Sequence, residues 1–248
     1  MTSLLETRKL HKSFGALVAT DGVTFDVREG ETHAVIGPNG AGKTTFIKQL
    51  SGELHPDTGS IHFAGEDITG LAWDKRSRKG LARSFQITSI YRDFSALDNV
   101  ALAVQAHAGH SFRFWHAARE DRSLTEPATR ILEKIGLHER KFTLAANLSH
   151  GEQRQLEIAM VLATRPRLML LDEPVAGMGT DESQRMIEFL ASLKGDKTIV
   201  LVEHDMDAVF SLADRISVLV YGRIIATGTP MEIRANPEVR AAYLGEDL

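Results

Sequence analysis

Three short apolar segments predict the strands of a buried parallel sheet. They are THAVIG (32–37), RLMLLDE (167–173) and TIVLVEH (198–204), and each ends in glycine or polar residues. A strand that is apolar at nearly every position is typical of a parallel sheet covered on both faces. Segments with helical spacing flank all three strands. This alternation of strands and helices predicts an α/β fold.

Other segments either alternate between apolar and polar residues, as 5–14 and 22–30 do, or look like hairpins, as 60–68 and 215–228 do, and together they predict an antiparallel layer at the edge of the fold. Gly65 and Gly222 are expected in the turns of two hairpins of this layer, because glycine tolerates turn geometry. The segments are LETRKLHKSF (5–14), GVTFDVREG (22–30), SIHFAGEDI (60–68) and RISVLVYGRIIATG (215–228).

Between about Ser95 and Thr164 the strand signals disappear and helical spacing takes over. The helical segments are LDNVALAVQAHA, EPATRILEKIGL and EQRQLEIAMVLAT. We therefore predict a helical subdomain, residues 87–164, inserted into a single α/β domain made of residues 1–86 and 165–248.

Composition narrows the classes of function. The 248 residues are 43% hydrophobic and 25% charged, which are ordinary values for a globular protein. A net charge of −4 argues against a protein that binds nucleic acid through general basicity. The absence of cysteine excludes disulfides and cysteine-ligated metals. The charged start MTSLLETRKL does not resemble an export signal, and no apolar run approaches the about 18 residues of a membrane span.

A phosphate-binding loop follows the first buried strand. The segment GPNGAGKTT satisfies the pattern G-x-x-x-x-G-K-[ST] between a strand and a helix, where the mechanism requires it. Its glycines let backbone N–H groups converge on a phosphate, Lys43 reaches the β- and γ-oxygens, and Thr44 holds Mg²⁺. The alternative is a glycine-rich turn with an exposed lysine. The loop consists of Gly37, Pro38, Asn39, Gly40, Ala41, Gly42, Lys43, Thr44 and Thr45.

The ends of the other two buried strands carry candidate catalytic groups. Asp172 is placed to hold Mg²⁺ through water, and the adjacent Glu173 is placed to orient and deprotonate an attacking water. His204 is expected at the same edge, since ligands of open parallel sheets gather at the carboxyl ends of strands. Each assignment has a plain alternative, a solvated strand end for the carboxylates and a capping or core role for the histidine.

A second candidate anion site lies at LSHGEQ (148–153), here called the signature segment. Ser149 and Glu152 form a capping-box pattern, which by itself indicates only the start of a helix. Gly151 favours a binding role for this helix start in addition to capping. Glycine in a first turn costs stability unless another group must approach the backbone closely. A helix N-terminus with an open backbone suits a γ-phosphate.

These segments together resemble the ATP-binding-cassette (ABC) ATPases. GPNGAGKTT, Gln86 in RSFQ, LSHGEQ, LMLLDEP and VEHD occur in the order and spacing of that family. The resemblance implies a P-loop NTPase (RecA-like) core and ATP with Mg²⁺ as ligands. It also implies a head-to-tail homodimer or heterodimer, in which the signature segment of one copy closes over the nucleotide on the phosphate loop of the other.

The family's roles transfer onto matching residues. Phe14 resembles the aromatic residue that stacks on adenine, although an ordinary strand-end apolar residue would look the same. Gln86 resembles the residue that links Mg²⁺ and the attacking water to the membrane-facing surface. Ser149, Gly151 and Glu152 match the signature, with Glu152 in place of the more usual glutamine. His150 replaces the more usual glycine, and Gly179 stands where the family usually has an aspartate or asparagine that touches the partner's loop.

Several phrases resemble the ATP-binding subunits of bacterial branched-chain amino acid importers, with urea and short-chain amide importers as close relatives. They are FWHAARE, LEIAMVLATRP, VAGMG, EHDMDAVF and the tail GTPMEIRANPEVRAAYLGED. The resemblance implies a peripheral protein on the cytoplasmic face of the inner membrane. Its expected partners are a second ABC ATPase subunit, membrane permease subunits and, indirectly, a solute-binding protein, and no nucleic acid is expected.

Two aromatic segments leave alternatives open. ITSIYRDFSALDNV (87–100) suits a groove that receives a permease helix, or the buried start of a helical insert. HSFRFWHAAR (110–119) could contact a membrane surface or pack on its own subdomain. Two other functions are alternatives for such a chain, a soluble ABC protein of translation or DNA repair and a regulatory module without turnover. The first usually has tandem cassettes or coiled-coil inserts, and Glu173 with His204 argues against the second.

Overall fold

A computed structural model describes residues 3–84, 90–108 and 121–244. Two sheets and a group of helices make up these residues, and the predicted fold class, an α/β P-loop core with an antiparallel β subdomain and inserted helices, is confirmed. The strands are β1 (Ser3–Phe14), β2 (Leu17–Arg28), β3 (Thr32–Ile36), β4 (Thr58–Phe63), β5 (Glu66–Asp67), β6 (Leu81–Arg83), β7 (Leu168–Asp172), β8 (Thr198–Val202), β9 (Arg215–Val220) and β10 (Arg223–Gly228).

The helices lie between and after these strands. They are α1 (Lys43–Ser51), α2 (Trp73–Arg78), α3 (Ala96–Ala108), α4 (Arg122–Lys134), α5 (His150–Ala163), α6 (Thr180–Ser192), α7 (Met206–Leu212), α8 (Pro230–Ala235) and α9 (Pro237–Val239). Among the described residues, no helix is long and apolar enough to cross a membrane.

The main sheet has the order β10-β9-β3-β8-β7-β6 in the described part of the chain. Its strands are parallel except for β10, which pairs antiparallel with β9. Because β8 lies between β3 and β7, Val202 pairs with both Val35 and Asp172. The carboxyl ends of these three strands therefore meet at one edge of the sheet, as the sequence predicts.

Alternate residues of the central strands pack into two different cores. Met169 and Leu171 of β7 face the core formed with the helices, whereas Leu168 and Leu170 face the core formed with α1 and the antiparallel sheet. All four side chains are buried. This double burial explains why the strands are continuously apolar. It also fixes the backbone at their ends, where the candidate catalytic groups begin.

The second sheet has the order β2-β1-β4-β5 and is antiparallel. It contains three of the four segments predicted for the antiparallel layer, residues 5–14, 22–30 and 60–68. The fourth segment, residues 215–228, forms the predicted hairpin but belongs elsewhere. Its first strand, β9, joins the main sheet in parallel with β3. The prediction that this hairpin lies in the antiparallel layer was wrong. The four central residues of β9 are buried beside β3, and β10 forms the partly exposed edge of the main sheet.

The helices α3, α4 and α5 follow β6 and precede β7 along the chain, and they pack against one another. Leu124, Ala128 and Leu132 of α4 are buried in this contact and repeat at helical spacing. The grouping agrees with a helical insert, while the exact limits 87–164 stay a prediction. Its last helix, α5, begins in the signature segment and is followed along the chain by β7.

Candidate active site

The phosphate loop leaves β3 at Gly37 and enters α1 at Lys43. Its first and last glycines have positive φ angles of 152° and 104°. A Cβ atom at Gly37 would lie 2.0 Å from the carbonyl oxygen of Leu219, and one at Gly42 would lie 2.1 Å from that of Ala19. Any side chain there would collide with fixed backbone, so these glycines let the loop pack tightly against two neighbouring strands.

The first turn of α1 is open for an anion. Gly42 is the N-cap residue and has no side chain, and none of the described side chains caps this helix. The N–H groups of a helix start need a partner and carry partial positive charge, so they favour a phosphate. Thr44 and Thr45 lie in the same turn. The local geometry therefore suits the phosphate site that the motif predicts.

Lys43 lies inside the loop, where its Nζ donates to the carbonyl oxygens of Gly37 at 2.6 Å and Pro38 at 3.1 Å. Burial lowers the pKa of the ammonium, while the carboxylates of Glu173 and Asp172 oppose this change. The lysine thus lies in the electrostatic field of both acidic residues at the carboxyl end of β7. A cation held by backbone carbonyls can exchange these weak partners for phosphate oxygens.

Asp172 ends β7 and is buried. Burial raises the pKa of its carboxyl, and the guanidinium of Arg83, 3.1 Å from Oδ2, opposes the rise. Arg83 also pairs with Glu53 at 2.6 Å. Mg²⁺ is usually held by one or two carboxylates together with phosphate oxygens and water. A buried carboxylate beside an open helix start with a threonine hydroxyl fits that donor set, with Asp172 and Thr44 as the protein ligands.

Glu173 has a backbone conformation that few residues adopt. Its φ angle is +50°, which costs a non-glycine residue on the order of 1–2 kcal/mol. Its N–H donates to the carbonyl oxygen of Val202 at 2.8 Å, and its own carbonyl oxygen accepts from Arg154 at 2.9 Å. These bonds hold the unusual conformation. The side chain therefore leaves the strand end at a fixed angle and is partly exposed.

His204 follows β8 on the neighbouring strand and is exposed. Its Nδ1 lies 3.7 Å from Oε1 of Glu173 and 3.5 Å from Oε2 of Glu203. Sequence reasoning overlooked Glu203, which is buried and receives backbone N–H groups from Val175 at 3.2 Å and His204 at 2.8 Å. Burial raises the pKa of Glu203, and these N–H groups oppose the rise. Glu203 therefore joins the loop after Glu173 to the loop that carries His204.

The signature segment starts α5 with the predicted capping box. The Glu152 N–H donates to Ser149 Oγ at 3.2 Å, and the Ser149 N–H donates to Glu152 Oε2 at 2.8 Å. Burial of the Glu152 carboxyl favours its neutral form, but the hydrogen bonds from Arg140 and Ser149 outweigh burial and lower the pKa. Both partners of the box are therefore engaged in starting the helix.

Glu182 of α6 lies over the same helix start. Its Oε1 accepts from Ser149 Oγ at 3.2 Å, and a Cβ atom at Gly151 would lie 2.4 Å from its Oε2. A carboxylate is thus in contact with the backbone of the first turn of α5. This is the close approach that Gly151 suggests, although the approaching group belongs to the same chain. Nothing in the sequence indicated Glu182.

Phe14 ends β1 with 51% of its surface exposed, and the Lys12 ammonium lies 5.6 Å from its ring centre. An exposed ring at a strand end suits stacking on a base, as predicted. His150 and Gly179 are also exposed, and Gly179 caps α6. Gln86 and the segment FWHAARE (114–120) lie outside the described residues.

The fold brings Lys43, Asp172, Glu173 and His204 to one edge of the main sheet. The Ser149 hydroxyl, by contrast, accepts from the Glu152 N–H and donates to the Glu182 carboxylate, so these hydrogen bonds do not reach the phosphate loop. Within the described residues, one chain therefore presents two candidate anion sites that do not share a ligand. A nucleotide bound at the loop would have one face covered by its own chain.

Known proteins resemble this chain over nearly its whole length. A family model described as "ABC transporter" matches residues 20–176, and one described as "Branched-chain amino acid ATP-binding cassette transporter" matches residues 223–248. The branched-chain amino acid transport ATP-binding protein BraF of Pseudomonas aeruginosa is 40% identical over 98% of each chain. The corresponding LivG of Escherichia coli is 38% identical over 98% of each chain. The lipopolysaccharide export ATP-binding protein LptB of Acidithiobacillus ferridurans is 34% identical over 100% of this chain and 99% of its own.

Solved structures show the same fold. A nucleotide-free ATP-binding cassette superimposes with a TM-score of 0.85 at 29% identity, covering 99% of this chain and 100% of that one. The ADP conformation of the cassette MJ1267 gives 0.86 at 29% identity with the same coverage. The chain therefore belongs to the ABC transporter family and is an ATP-binding-cassette ATPase. Within the family, it is similar from end to end to the ATP-binding proteins of branched-chain amino acid transport.

Proposed function

We propose that this protein is the ATP-hydrolysing subunit of an importer for branched-chain or related amino acids, located on the cytoplasmic face of the membrane. The observation that carries the proposal is the meeting of Lys43, Asp172, Glu173 and His204 at one sheet edge. The names of the relatives and the match at residues 223–248 support the assignment to branched-chain amino acid import.

ATP would bind with its phosphates on the loop 37–45 and its adenine on Phe14. The loop N–H groups and the start of α1 face the phosphates, and the Lys43 ammonium neutralises the β- and γ-oxygens. The exposed ring of Phe14 offers an apolar face for the base. Asp172 and Thr44 would hold Mg²⁺, which supplies positive charge to the phosphate oxygens when bound.

Hydrolysis would proceed by in-line attack of a water molecule on the γ-phosphorus. Glu173 orients this water and takes its proton as the new P–O bond forms, while the bond to the β-phosphate oxygen breaks and ADP leaves. His204, within reach of the Glu173 carboxylate, donates a hydrogen bond to the transferred phosphoryl group. Lys43 neutralises charge that develops on the same oxygens.

The second anion site explains why the active protein would contain two cassettes. The start of α5 in one copy would supply Ser149 and the backbone at Gly151 to the γ-phosphate held by the other copy, with Glu152 keeping the helix start in place. The Glu182 carboxylate contacts this helix start and must be displaced for a phosphate to take its place. The second cassette is either another copy of this chain or a related subunit.

A groove beside the helical insert offers a docking site for a permease subunit. The cavity measures about 290 Å³ and is lined largely by apolar side chains, with Trp73 and Tyr91 among the lining residues. These two rings are 57% and 56% exposed. Exposed aromatic rings beside a groove are typical of helix recognition. Arg83 lines the groove and also contacts Asp172, so a docked helix would lie one side chain from the proposed Mg²⁺ ligand.

Reconstituted transport tests the proposal. The protein, its permease subunits and the associated solute-binding protein would be placed in liposomes, and ATP-dependent uptake of leucine, urea and acetamide would be compared. We expect leucine uptake that is abolished by Glu173→Gln. Uptake of urea or acetamide alone would instead support an amide importer. If no permease subunit stimulates the ATPase activity, the result would support a non-transport function.

A further inference from the structure

Arg154 connects the signature helix to the catalytic strand end. It lies in α5 and is buried, and its Nη2 donates to the backbone carbonyl oxygens of Asp172 and, at 2.9 Å, of Glu173. Its Nη1 donates to Glu157 Oε2 at 2.7 Å on the same helix. One guanidinium thus joins α5 to the two residues that carry the proposed Mg²⁺ ligand and general base.

The contact falls on the peptide that controls the direction of the Glu173 side chain. A residue with φ of +50° keeps this conformation only if its surroundings enforce it. The carbonyl oxygen of Glu173 also accepts the N–H of Ala176, at 3.2 Å. Because a guanidinium donates in a fixed planar geometry, its bonds to two successive carbonyls restrict the orientation of both peptides. Arg154 therefore helps determine where the Glu173 carboxylate points.

The same side chain is anchored in the helix that faces the other nucleotide. Ser149 caps α5, and Arg154 lies five residues further along, about 7.5 Å by helical rise. A helix transmits displacement of its first turn to residues this near, since its backbone hydrogen bonds are intact. A shift of α5 on binding phosphate would reach the peptide of Glu173 through two hydrogen bonds.

We propose that Arg154 is a positioning residue that makes the placement of Glu173 depend on the signature helix of its own chain. In the two-cassette arrangement of the proposed function, on which this inference rests, α5 contacts the partner's ATP and Glu173 serves the chain's own ATP. Arg154 then links the two sites within one subunit. The base of one site is thereby held in place by the helix that closes the other site.

Mixed dimers separate this role from simple support of α5. One chain carries Ser149→Arg and keeps Lys43, and the other carries Lys43→Ala and keeps Ser149. Each composite site consists of the phosphate loop of one chain and the signature segment of the other, so only one of the two composite sites works. Its base comes from the first chain and its signature helix from the second. Arg154→Met is then placed on either chain. Arg130→Met, which removes an exposed arginine of the same helical group, is the control.

We expect Arg154→Met on the chain that keeps Lys43 to lower kcat by about tenfold or more with KM within about twofold, because transition-state alignment is lost and ATP binding is kept. On the other chain the loss should stay within about twofold, as for Arg130→Met. Arg154→Lys should recover part of kcat, since an ammonium can still donate to a carbonyl. An equal loss on either chain, or a larger one on the chain that keeps Ser149, overturns the proposal.

Two controls keep the outcome readable. Arg154→Met leaves the Glu157 carboxylate buried beside a methionine, so the double variant Arg154→Met/Glu157→Gln is measured alongside and should show the same asymmetry. The parental mixture without a change at Arg154 must be active. If it is inactive, the composite site itself is wrong, and this result is distinct from an active mixture that lacks the asymmetry.

Discussion

The Nδ1 atom of His204 lies 3.7 Å from Oε1 of Glu173, although the two residues follow different strands, β8 and β7. The pairing of Asp172 with Val202 sets this distance, because it aligns the ends of β7 and β8. Glu203 then fixes the histidine loop by accepting its backbone N–H. The proposed base for water and the proposed donor to the phosphate are thus held side by side at the sheet edge.

Glu173→Gln should bind ATP normally and hydrolyse it about a hundredfold or more slowly, because the amide cannot take the proton of the attacking water. The ATP-loaded variant should therefore accumulate as a dimer. Steady-state ATPase assays and analytical ultracentrifugation with and without ATP check both parts. Turnover near the wild-type rate would show that another group is the base.

Gly151→Ala should affect stability and activity for different reasons. The new methyl group would meet the Glu182 carboxylate, so the free energy of unfolding should fall, and Glu182→Ala in the same chain should restore part of it. ATPase activity should stay low in the double variant, because the methyl still blocks a phosphate. Urea unfolding and ATPase assays of the two single variants and the double variant form the cycle. Recovery of both properties together would show that Gly151 serves only to accommodate Glu182.

Trp73→Ala should weaken docking to the permease and leave basal ATPase activity of the isolated protein unchanged. The ring lines the groove and is 57% exposed. Truncating an aromatic residue that is a hot spot of an interface typically costs about 2 kcal/mol or more in affinity. Binding to detergent-solubilised permease measures the effect, and Tyr221→Ala, which removes an exposed ring outside the groove, is the control. Equal binding of the two variants would place the permease elsewhere.

His33 should make the fold sensitive to mild acid. It is buried, with Nδ1 at 2.9 Å from the Asp26 carbonyl oxygen and Nε2 at 2.9 Å from Ser217 Oγ. Burial and the nearby Arg215 lower its pKa from 6.5 to about 3, while the Asp26 carbonyl opposes the change. As pH falls below 6.5, the unfolded chain takes up a proton that the folded chain excludes. The free energy of unfolding should therefore fall toward pH 3 by about 1.4 kcal/mol per pH unit from this residue.

His33→Gln removes this titration. Its stability deficit relative to the wild type should be largest at pH 7.5 and shrink as pH drops to 5, because only the wild type loses stability through His33. Urea unfolding of both proteins across this range gives the difference directly. A deficit that is constant with pH would mean that His33 takes up its proton equally in the folded and unfolded states.

The sequence predicts those parts of the site that depend on local pattern. The loop at Gly37 and Lys43 needs a fixed spacing of glycines, and Asp172, Glu173 and His204 follow apolar strands, so all could be named before the structure. The capping box of Ser149 and Glu152 is equally local. The β9–β10 hairpin was misplaced because a glycine turn such as that at Gly222 indicates a hairpin in either sheet, whereas the pairing of β9 with β3 depends on the fold of the whole domain.

Arg154, Glu203 and Glu182 could not be found in this way. Arg154 contacts the carbonyl oxygen of Glu173, Glu203 accepts the N–H of Val175, and Glu182 accepts from Ser149. Each contact joins two elements that are brought together only by packing of the whole domain. Backbone groups have no sequence signature, so a side chain that binds them looks like any other charged residue in its helix or strand.

Complementation between two inactive variants tests most directly whether each ATP lies between two cassettes. Lys43→Ala and Ser149→Arg are each expected to abolish ATPase activity alone, and a mixture should regain it, because mixed dimers contain one site with both residues intact. A chain carrying both changes should instead suppress the wild type when mixed with it. An inactive mixture of the single variants, together with an undiminished wild type in the second mixture, would show that each chain completes its own site.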